Sequence, residues 1–455
     1  MHENNRMNFE NRKIMVVGLA DTGLAVTRFL KNRGASVTVS DLRTKEQLGA
    51  KAETALSLGA ALKLGGHNLE DFLSQSLIVL SPGVPHTSEV VRASRRAGIP
   101  VIGELELAAQ HISEPIVAVT GTNGKTTTTE LVARMLEQSG FGVFVGGNIG
   151  NPLINYVNER EAKDLLVVEV SSFQLDTMRT FKPKVGVLLN VTEDHLDRYV
   201  DFAQYVASKG RIFENQTYRD YAVLNKNDVS AEILGSKIHS QILYFNAEES
   251  RENGAWLEGR RLHYRLPGQG VDTLDFSSIK LPGKHNLENA AAASLAGLLM
   301  GASPSGITDT LQTFTGLHHR LEYVATIDGI DYYDDSKGTN VDAVARALES
   351  FDAPVVLIMG GRDKGGDYAV LADLIRTRVK SLIVLGEAQH AILDALSPFT
   401  QTQKADSLPH AVQAARAAAG FGDVVLLSPG CSSFDMFTDY AHRGEVFCEA
   451  VRELQ

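Results

Sequence analysis

Short apolar runs alternate with helix-like stretches along almost the whole chain of 455 residues. Several of these runs end in a glycine-containing loop just before the next helix-like stretch. This alternation is typical of parallel α/β sheets, in which ligands bind at the carboxyl ends of the strands. The pattern predicts strands over residues 14–18, 36–41, 77–83, 116–121, 165–170, 185–190, 355–361, 382–387 and 424–430.

The regularity of this alternation changes twice and divides the chain into three predicted domains. Residues 1–110 form a small doubly wound unit, and residues 111–316 begin with a new strand and a glycine-rich loop. Within the second domain, the region at about 245–280 alternates apolar and polar positions, which predicts antiparallel strands. Residues 317–455 return to regular strand–helix alternation, so the expected fold class is α/β with three domains.

The composition excludes several classes of protein. A net charge of −11 argues against a nucleic acid partner, which normally requires a basic face. No apolar run reaches the length of about 18 residues that a membrane span requires, and the first residues lack the apolar stretch of a signal peptide. We therefore expect a cytoplasmic protein without membrane insertion. The two cysteines, Cys431 and Cys448, have no metal-ligand spacing and are expected to be small buried hydrophobic residues.

The first strand runs into the turn GLADTG at 18–23, which is close to the dinucleotide-binding pattern G-x-G-x-x-G. Ala20 stands at the position of the middle glycine, and Asp41 ends the next strand, where such enzymes place the acid that binds ribose. The residues alone leave two interpretations open: a nicotinamide site, or a related turn for another phosphate-bearing ligand.

A second glycine-rich loop, GTNGKT at 121–126, lies between a β-branched strand and an amphipathic helix. Its backbone N–H groups and the helix N-terminus suit phosphate oxygens, Lys125 supplies a cation, and the Thr126 hydroxyl can bind Mg²⁺. Val119 stands where the Walker pattern has its first glycine, so a purely structural turn is the alternative. The flanking strand and helix favour a nucleoside triphosphate site.

Three further side chains are candidates for chemistry. Glu169 ends an apolar strand, where a carboxylate requires a cation partner or lies in a surface loop. His195 lies in a polar turn after the strand at 185–190 and is either a functional imidazole or an ordinary polar residue. Lys209 lies on an amphipathic helix, and composition alone predicts a surface lysine with its ammonium in water.

Taken together, these stretches resemble the Mur ligase family of ATP-dependent peptidoglycan precursor ligases. The motifs occur in family order and cover nearly the whole chain. They are GTNGKTT (121–127), EVSSFQLD (169–176), NVTEDHLDRY (190–199), YVASKGRIF (205–213), PGKHNLENAAAA (282–293), HHRLE (318–322), DDSKGTN (334–340), GGRDKG (360–365) and SPGCSSFDMF (428–437).

The resemblance implies a Rossmann-like first domain that binds UDP, a central P-loop ATPase-type domain and a Rossmann-like C-terminal domain that binds the amino acid. It is greatest to the branch that joins D-glutamate to UDP-N-acetylmuramoyl-L-alanine through an acyl phosphate. It also implies ATP, two Mg²⁺ ions, a carbamate formed from CO₂ on Lys209, and a monomeric enzyme.

The resemblance also assigns residues to the parts of the site. The implied catalytic residues are Lys125, His195 and Lys209, and the implied metal ligands are Thr126, Glu169, His195 and Lys209. The implied ATP contacts are Gly121, Thr122, Asn123, Gly124, Lys125, Thr126, Thr127, Asn286, Asn289, Arg320 and Asp335. Helix capping is the alternative for Asn286 and Asn289, and a linker ion pair is the alternative for Arg320.

The substrate contacts form two groups in this assignment. Those implied for UDP are Asp21, Thr22, Asp41, Arg43, Ser81 and Gly83, and three further implied substrate contacts are Asn148, Ser171 and Gln174. Those implied for D-glutamate are Lys337, Thr339, Lys364, Ser433 and Tyr440. Two departures from the family pattern affect the second group: Arg362 interrupts the glycine loop, and Tyr440 stands where Phe is usual.

Three rival functions remain at this point. Another Mur-type or folate-type ligase would add L-alanine, a diamino acid, a dipeptide or a folate glutamate tail, although the D-N-P-R signature of diamino-acid addition is absent. A nicotinamide oxidoreductase would use GLADTG but leaves the second phosphate loop unexplained. A non-catalytic nucleotide switch would not require the polar loops of the third domain.

Overall fold

The computed structural model describes residues 8–148, 150–159, 161–194, 198–246, 253–281 and 283–454. Three β-sheets follow one another along this part of the chain, and helices connect most of their strands. The predicted three-domain α/β class is confirmed.

The first sheet has five parallel strands in the order β3-β2-β1-β4-β5. Its strands are β1 (Lys13–Val17), β2 (Ser36–Asp41), β3 (Ala61–Leu64), β4 (Leu77–Leu80) and β5 (Val101–Gly103). Its helices are α1 (Asp21–Lys31), α2 (Lys45–Leu48), α3 (Ala50–Ser57), α4 (Leu69–Leu73), α5 (Glu89–Arg96) and α6 (Glu104–Ala109). The strand order reverses between β1 and β4, where such sheets form their binding crevice.

The second sheet has nine strands in the order β14-β13-β12-β11-β10-β9-β6-β8-β7. Its strands are β6 (Ile116–Thr120), β7 (Val143–Gly147), β8 (Leu165–Glu169), β9 (Val185–Leu188), β10 (Tyr221–Asn225), β11 (Gln241–Phe245), β12 (Gly254–Glu258), β13 (Arg261–Arg265) and β14 (Val271–Asp275). The last three strands pair antiparallel, as the alternation at about 245–280 predicts. The helices are α7 (Lys125–Gln138), α8 (Leu153–Glu159), α9 (Ser172–Leu175), α10 (Phe202–Gly210), α11 (Val229–Gly235), α12 (Lys284–Leu299) and α13 (Pro304–Thr313), with a 3-10 turn at Arg211–Phe213.

The third sheet has six strands in the order β15-β16-β20-β17-β18-β19. Its strands are β15 (Glu322–Ile327), β16 (Ile330–Asp334), β17 (Val355–Gly360), β18 (Val379–Leu385), β19 (Gln401–Lys404) and β20 (Val424–Leu427). Its helices are α14 (Val341–Leu348), α15 (Ala372–Arg378), α16 (Gln389–Leu396), α17 (Leu408–Ala418) and α18 (Tyr440–Arg452), with a 3-10 turn at Tyr368–Leu371. The hairpin β15–β16 is antiparallel and the other pairs are parallel.

Every predicted strand is present, and most of the differences lie at the ends. The predicted strands at 77–83 and 424–430 end at Leu80 and Leu427, because Ser-Pro-Gly forms the following turn in both. The predicted strand at 382–387 starts earlier, at Val379.

One apolar core joins the first two domains. Phe29 of α1, Leu105 of α6 and Ile154 of α8 belong to the same buried cluster, which extends to Leu234 of α11. The two cores around the third sheet contain only buried residues from Leu321 onward. The first and second domains are therefore fused through apolar contacts, whereas the third domain has cores of its own.

A buried carboxylate strengthens the junction of the first two domains. The Oε2 atom of Glu106 accepts hydrogen bonds from the backbone N–H groups of Arg179, Thr180 and Phe181 at 2.8, 2.9 and 3.0 Å. The Oε1 atom accepts the Thr180 hydroxyl at 2.6 Å. These bonds tie α6 to the segment after α9. Arg211, directly after α10, donates to the carbonyls of Leu175 at the end of α9 and of Met178 in that segment.

Two expectations from composition can be compared with the structure. Among the described helices, none combines the length and the apolarity needed to cross a membrane. Cys431 is buried, as expected, but Cys448 is only partly buried, because it lies on the surface helix α18.

Candidate active site

The loop after β6 brings glycines into conformations that other residues rarely adopt. Gly121 has φ +154° and Gly124 has φ +84°, and Lys125 begins α7 directly afterwards. A Cβ atom on Gly124 would lie 2.3 Å from the Oδ1 atom of Asn289. The loop and the first turns of α12 therefore pack too closely for any side chain at this position.

Two lysines converge on one carbonyl of this loop. The Nζ atoms of Lys125 and Lys209 lie 3.0 and 2.7 Å from the carbonyl oxygen of Gly121. Lys209 is only 2% exposed, so the surface position that composition predicts is wrong. The cause is tertiary: the inner face of α10 packs beneath the phosphate loop, 88 residues earlier in the chain.

Burial also changes the acidity of both ammonium groups. Loss of hydration, reinforced by the charge of Lys125, lowers the pKa of Lys209 well below its ordinary value. Loss of hydration likewise lowers the pKa of Lys125, although Glu169 and Asp194 oppose the shift. Lys209 is thereby biased toward its neutral amine, which is the nucleophilic form.

Glu169 ends β8 beside the phosphate loop and is 1% exposed. Its carboxylate accepts hydrogen bonds from the Thr126 hydroxyl at 2.6 Å and from the Nδ2 atom of Asn148 at 3.0 Å. Carboxylate, hydroxyl and amide oxygens are the donors that Mg²⁺ prefers, so these residues fit a magnesium ion. His195, the implied imidazole ligand, lies outside the described residues.

Polar side chains of the third domain reach this loop. Asn123 donates to the Oδ2 atom of Asp342 at 2.6 Å, and Asn340 donates to Asn123 at 3.3 Å. Asn340 also donates to Asp194 at 3.2 Å, and Lys364 does so at 3.1 Å. Asn340 and Asp342 were not assigned to the site in the sequence analysis. Asn340, which ends the motif DDSKGTN and caps α14, was the one indication in the sequence that this turn belongs to it.

The residues implied for adenine and ribose form two separate pairs. Asn286 and Asn289 are buried on α12 and hydrogen-bond to each other at 3.3 Å, whereas Gly283 occupies the N-cap position. Arg320 pairs with Asp335 at 3.3 Å, and the Ser428 hydroxyl donates to the other oxygen of this carboxylate at 2.8 Å. Burial raises the pKa of Asp335 to about 6, against the opposing charge of Arg320.

A cavity of about 200 Å³ lies where these elements meet. Most of the residues implied for ATP and several implied for substrate line it, together with Asp194, Leu317 and Asn340. The implied residues in its lining are Thr122, Asn123, Gly124, Lys125, Thr126, Thr127, Asn148, Glu169, Arg320, Lys337, Thr339, Lys364 and Tyr440. Five further implied residues do not line this cavity. Gly121 and Asp335 contact its lining residues Lys125 and Arg320, and Asn289 lies against Gly124. Asn286 and Lys209 lie one contact further away, against Asn289 and Gly121.

A second cavity, of about 900 Å³, continues from the first on the side of the third domain. Thr339, Lys364 and Tyr440 line both cavities, and Ser433 lines only the second. The Nζ atom of Lys337 lies 5.2 Å from the centre of the Tyr440 ring. Burial lowers the pKa of Lys337 to about 8.

Ser171 and Gln174 hold each other at the start of α9. The backbone N–H and the hydroxyl of Ser171 both donate to the Oε1 atom of Gln174 at 3.0 Å. The Nε2 atom of Gln174 is buried and has no hydrogen-bond partner among the described residues. A buried donor of this kind is available to a ligand.

The turn of the first domain lies between two side chains from neighbouring strands. The Oδ2 atom of Asp41 accepts the N–H of Leu19 at 2.7 Å, and the Ser81 hydroxyl donates to the carbonyl of Gly18 at 3.0 Å. Arg43 donates to both carboxylate oxygens of Asp41. Burial opposes ionisation of Asp41, but the hydrogen bonds from Arg43 and Leu19 outweigh it and lower the pKa to about 2.

Three other residues implied for the UDP-sugar lie near this turn without joining that cluster. Asp21 and Thr22 begin α1, and Asp21 forms an exposed ion pair with Lys51. The carbonyl of Gly83 accepts a hydrogen bond from Arg198 of the second domain at 3.3 Å.

Three family models match successive parts of the chain. The N-terminal domain of MurD-like Mur ligases matches residues 12–103, the Mur ligase middle domain matches 119–297, and the Mur ligase glutamate ligase domain matches 319–431. The chain belongs to the Mur ligase family.

Individual relatives agree with this assignment. The UDP-N-acetylmuramoylalanine–D-glutamate ligase of Desulfosudis oleivorans is 51% identical over 98% of this chain and 97% of its own length. The enzyme of the same name from Desulfatibacillum aliphaticivorans is 48% identical over 98% and 100%.

Solved structures of lower identity show the same fold. A pseudomurein peptide ligase type C from Methanothermus fervidus is 20% identical, with a TM-score of 0.61 over 98% of this chain and 100% of its own. The UDP-N-acetylmuramate–alanine ligase of Thermotoga maritima is 19% identical, with a TM-score of 0.60 and the same coverage.

Proposed function

We propose that this chain is an ATP-dependent ligase that adds D-glutamate to UDP-N-acetylmuramoyl-L-alanine in peptidoglycan precursor synthesis, as a monomer in the cytoplasm. The γ-phosphoryl group of ATP passes to the L-alanyl carboxylate and gives ADP and an acyl phosphate. The amine of D-glutamate then attacks the acyl carbon, and phosphate leaves. A carboxylate requires this activation because its own oxygen is a poor leaving group.

The observation that carries the proposal is the meeting of two domains at one cavity. The phosphate loop with Lys125 lies on one side of it, and Lys337, Thr339, Lys364 and Tyr440 of the third domain lie on the other. A reaction between a phosphorylated carboxylate and an amino acid needs both groups in contact distance, because its catalysis rests on positioning and charge neutralisation.

Within this proposal the residues divide the work. Lys125 and the loop N–H groups bind the triphosphate, while Asn286, Asn289, Arg320 and Asp335 bind adenine and ribose. Asp21, Thr22, Asp41, Arg43, Ser81 and Gly83 bind UDP, and Asn148, Ser171 and Gln174 bind the sugar or its alanyl arm. Lys337, Thr339, Lys364, Ser433 and Tyr440 bind D-glutamate.

Thr126, Glu169 and His195 would hold Mg²⁺, in two ions, and the metal would supply positive charge for the phosphoryl oxygens. The neutral amine favoured at Lys209 suits reaction with CO₂. The resulting carbamate would supply anionic oxygens where an ammonium group could not face a cation.

The proposal is tested by phosphate release with ATP, Mg²⁺ and UDP-N-acetylmuramoyl-L-alanine. We expect release to depend on D-glutamate, with L-alanine, L-glutamate and a diamino acid as controls. Phosphate release that does not depend on D-glutamate, or that depends on one of the other amino acids, would contradict the proposed specificity for D-glutamate. UDP should compete with the sugar nucleotide, whereas NAD should not.

A further inference from the structure

The larger cavity contains a guanidinium group that the family resemblance does not assign. Arg362 lines the cavity of about 900 Å³ together with Ser432, Ser433, Lys364 and Tyr440. It is the residue that interrupts the expected glycine loop in GGRDKG. Arg362 therefore adds a positive charge in the cavity where a dicarboxylate is proposed to bind.

The backbone of Arg362 is firmly held. Its N–H donates to the carbonyl of Ser432 at 2.9 Å, and the Ser432 hydroxyl donates back to the carbonyl of Arg362 at 3.3 Å. These bonds join two loops of the third domain and place Arg362 beside Ser433. A cation on a fixed backbone loses less freedom when it binds a ligand than one on a mobile loop.

The side chain, in contrast, has only a weak competitor. The Nε atom of Arg362 lies 3.3 Å from the Oε2 atom of Glu387, and both side chains are about half exposed, at 50% and 58%. Exposed pairs of this kind contribute little to stability, so a ligand carboxylate can replace Glu387.

The other charged groups of this cavity also have partners among the described residues. Lys364 forms an ion pair with Asp194 at 3.1 Å, and Arg198 donates to the carbonyl of Gly83. Asp363 accepts the Gly365 N–H and the Tyr368 hydroxyl, and Asp439 caps α18. Arg362 thus pairs with an exposed acid, whereas Lys364 pairs with the largely buried Asp194.

Position decides which carboxylate Arg362 would bind. The amine and the α-carboxylate of an amino acid share one carbon, so both stay near the phosphate loop, where Lys364 and Thr339 line both cavities. The side-chain carboxylate extends further, and Arg362 lines only the cavity beyond. An arginine can bind such a group through two parallel hydrogen bonds.

We propose that Arg362 binds the side-chain carboxylate of the amino acid substrate, in exchange for Glu387, and thereby selects a dicarboxylate. This inference rests on the proposed function. It adds a specificity-determining residue at a position where the chain departs from the family pattern.

The test compares four proteins: wild type, Arg362→Ala, Glu387→Gln and the control Arg376→Ala. Arg376 is also half exposed and pairs with an acid, Asp373, but it does not line either cavity. We expect Arg362→Ala to raise KM for D-glutamate about 10- to 100-fold, the loss of one charged hydrogen-bonded contact, with kcat within about twofold. Glu387→Gln should lower this KM, because the competing carboxylate is gone, and the control should change neither constant.

Inhibition by D-glutamine, which lacks the side-chain charge, should be equally strong in wild type and Arg362→Ala. The inference is overturned if KM for D-glutamate is unchanged in Arg362→Ala, or if inhibition by D-glutamine weakens in parallel. It is also overturned if KM for ATP and for the sugar nucleotide rise to the same extent, since that pattern indicates general damage. A wild-type enzyme that ignores D-glutamate contradicts the proposed function as well, and this is seen before any variant is made.

Discussion

The Nζ atom of Lys209 donates a hydrogen bond of 2.7 Å to the carbonyl oxygen of Gly121, the first residue of the phosphate loop. The same carbonyl accepts a hydrogen bond from Lys125. One backbone oxygen thus connects the helix that carries Lys209 with the loop proposed to bind ATP, and the side chain of Lys209 cannot be altered without affecting this contact.

Replacement of Lys209 by alanine should abolish ligase activity, because the proposed carbamate can no longer form. Short carboxylates such as acetate should restore part of the activity by supplying the missing oxygens. Phosphate release with and without acetate measures both effects. Full activity of the unsupplemented variant would refute the role, and Lys163→Ala, a partly buried lysine paired with the exposed Glu161, provides the control.

Lys125→Ala should reduce ATP turnover by about 10²–10³-fold or more, because a preorganised charge at the phosphates is lost. Its circular dichroism spectrum should stay that of the wild type. The ammonium contacts only loop carbonyls, those of Gly121 and Thr122, in the hydrogen bonds described. Turnover near the wild-type rate would show that the loop does not bind the transferred phosphoryl group.

The pH dependence of kcat/KM for D-glutamate should reflect the ionisation of Lys337. Burial lowers the pKa of Lys337 from 10.5 to about 8, so the ammonium that would hold a carboxylate is present below pH 8 and lost above it. We expect kcat/KM for D-glutamate to fall as the pH rises through about 8, and Lys337→Arg to move this fall to higher pH. Identical profiles for both proteins would assign the ionisation to another group.

Asp41→Asn should weaken binding of the UDP-sugar. Asp41 accepts hydrogen bonds from the N–H of Leu19 in the turn that follows β1 and from the guanidinium of Arg43. Asparagine keeps one acceptor oxygen but loses the charge and the second acceptor, so it cannot hold both groups. We expect KM for UDP-N-acetylmuramoyl-L-alanine to rise about tenfold, the loss of one charged hydrogen bond, while KM for ATP stays constant. Displacement of a fluorescent UDP analogue by UDP and by NAD distinguishes the two interpretations of GLADTG.

Glu106→Ala should destabilise the junction of the first two domains, since three backbone N–H groups would lose their acceptor. The free energy of unfolding should fall by about 2–4 kcal/mol, as measured by urea denaturation. The exposed Glu137 offers a control whose replacement by alanine should change it by less than about 0.5 kcal/mol. Equal values for both variants would show that the carboxylate does not hold the junction.

The sequence predicts the central strands because a buried parallel strand is a continuous apolar run. Exposed edge strands such as β3 and β19 have no such run, and they are not among the strands predicted from the sequence. Burial of Lys209 is a different kind of fact: it depends on a helix packing beneath a loop 88 residues away. The contacts of Asn340 and Asp342 with Asn123 span more than 200 residues and join two domains. Local periodicity contains no information about such pairs, and only the likeness to a family pointed to Lys209 at all.

The structure explains why the loop at 121–126 does not need a glycine at position 119. Val119 occupies the position of a glycine in the Walker pattern, but it lies within β6, buried and paired with β8 and β9. The curvature that phosphate binding needs begins at Gly121, so the missing glycine is not required.

The common core of the first two domains fixes the distance between the turn that follows β1 and the loop that follows β6. Phe29, Leu105 and Ile154 pack in one cluster, so the turn at Gly18 and the loop at Gly121 cannot separate without opening that cluster to water. The distance that a sugar nucleotide must span between these two sites is therefore fixed. A substrate one unit too short or too long would place its carboxylate away from the phosphate loop, however well its uridine end is bound.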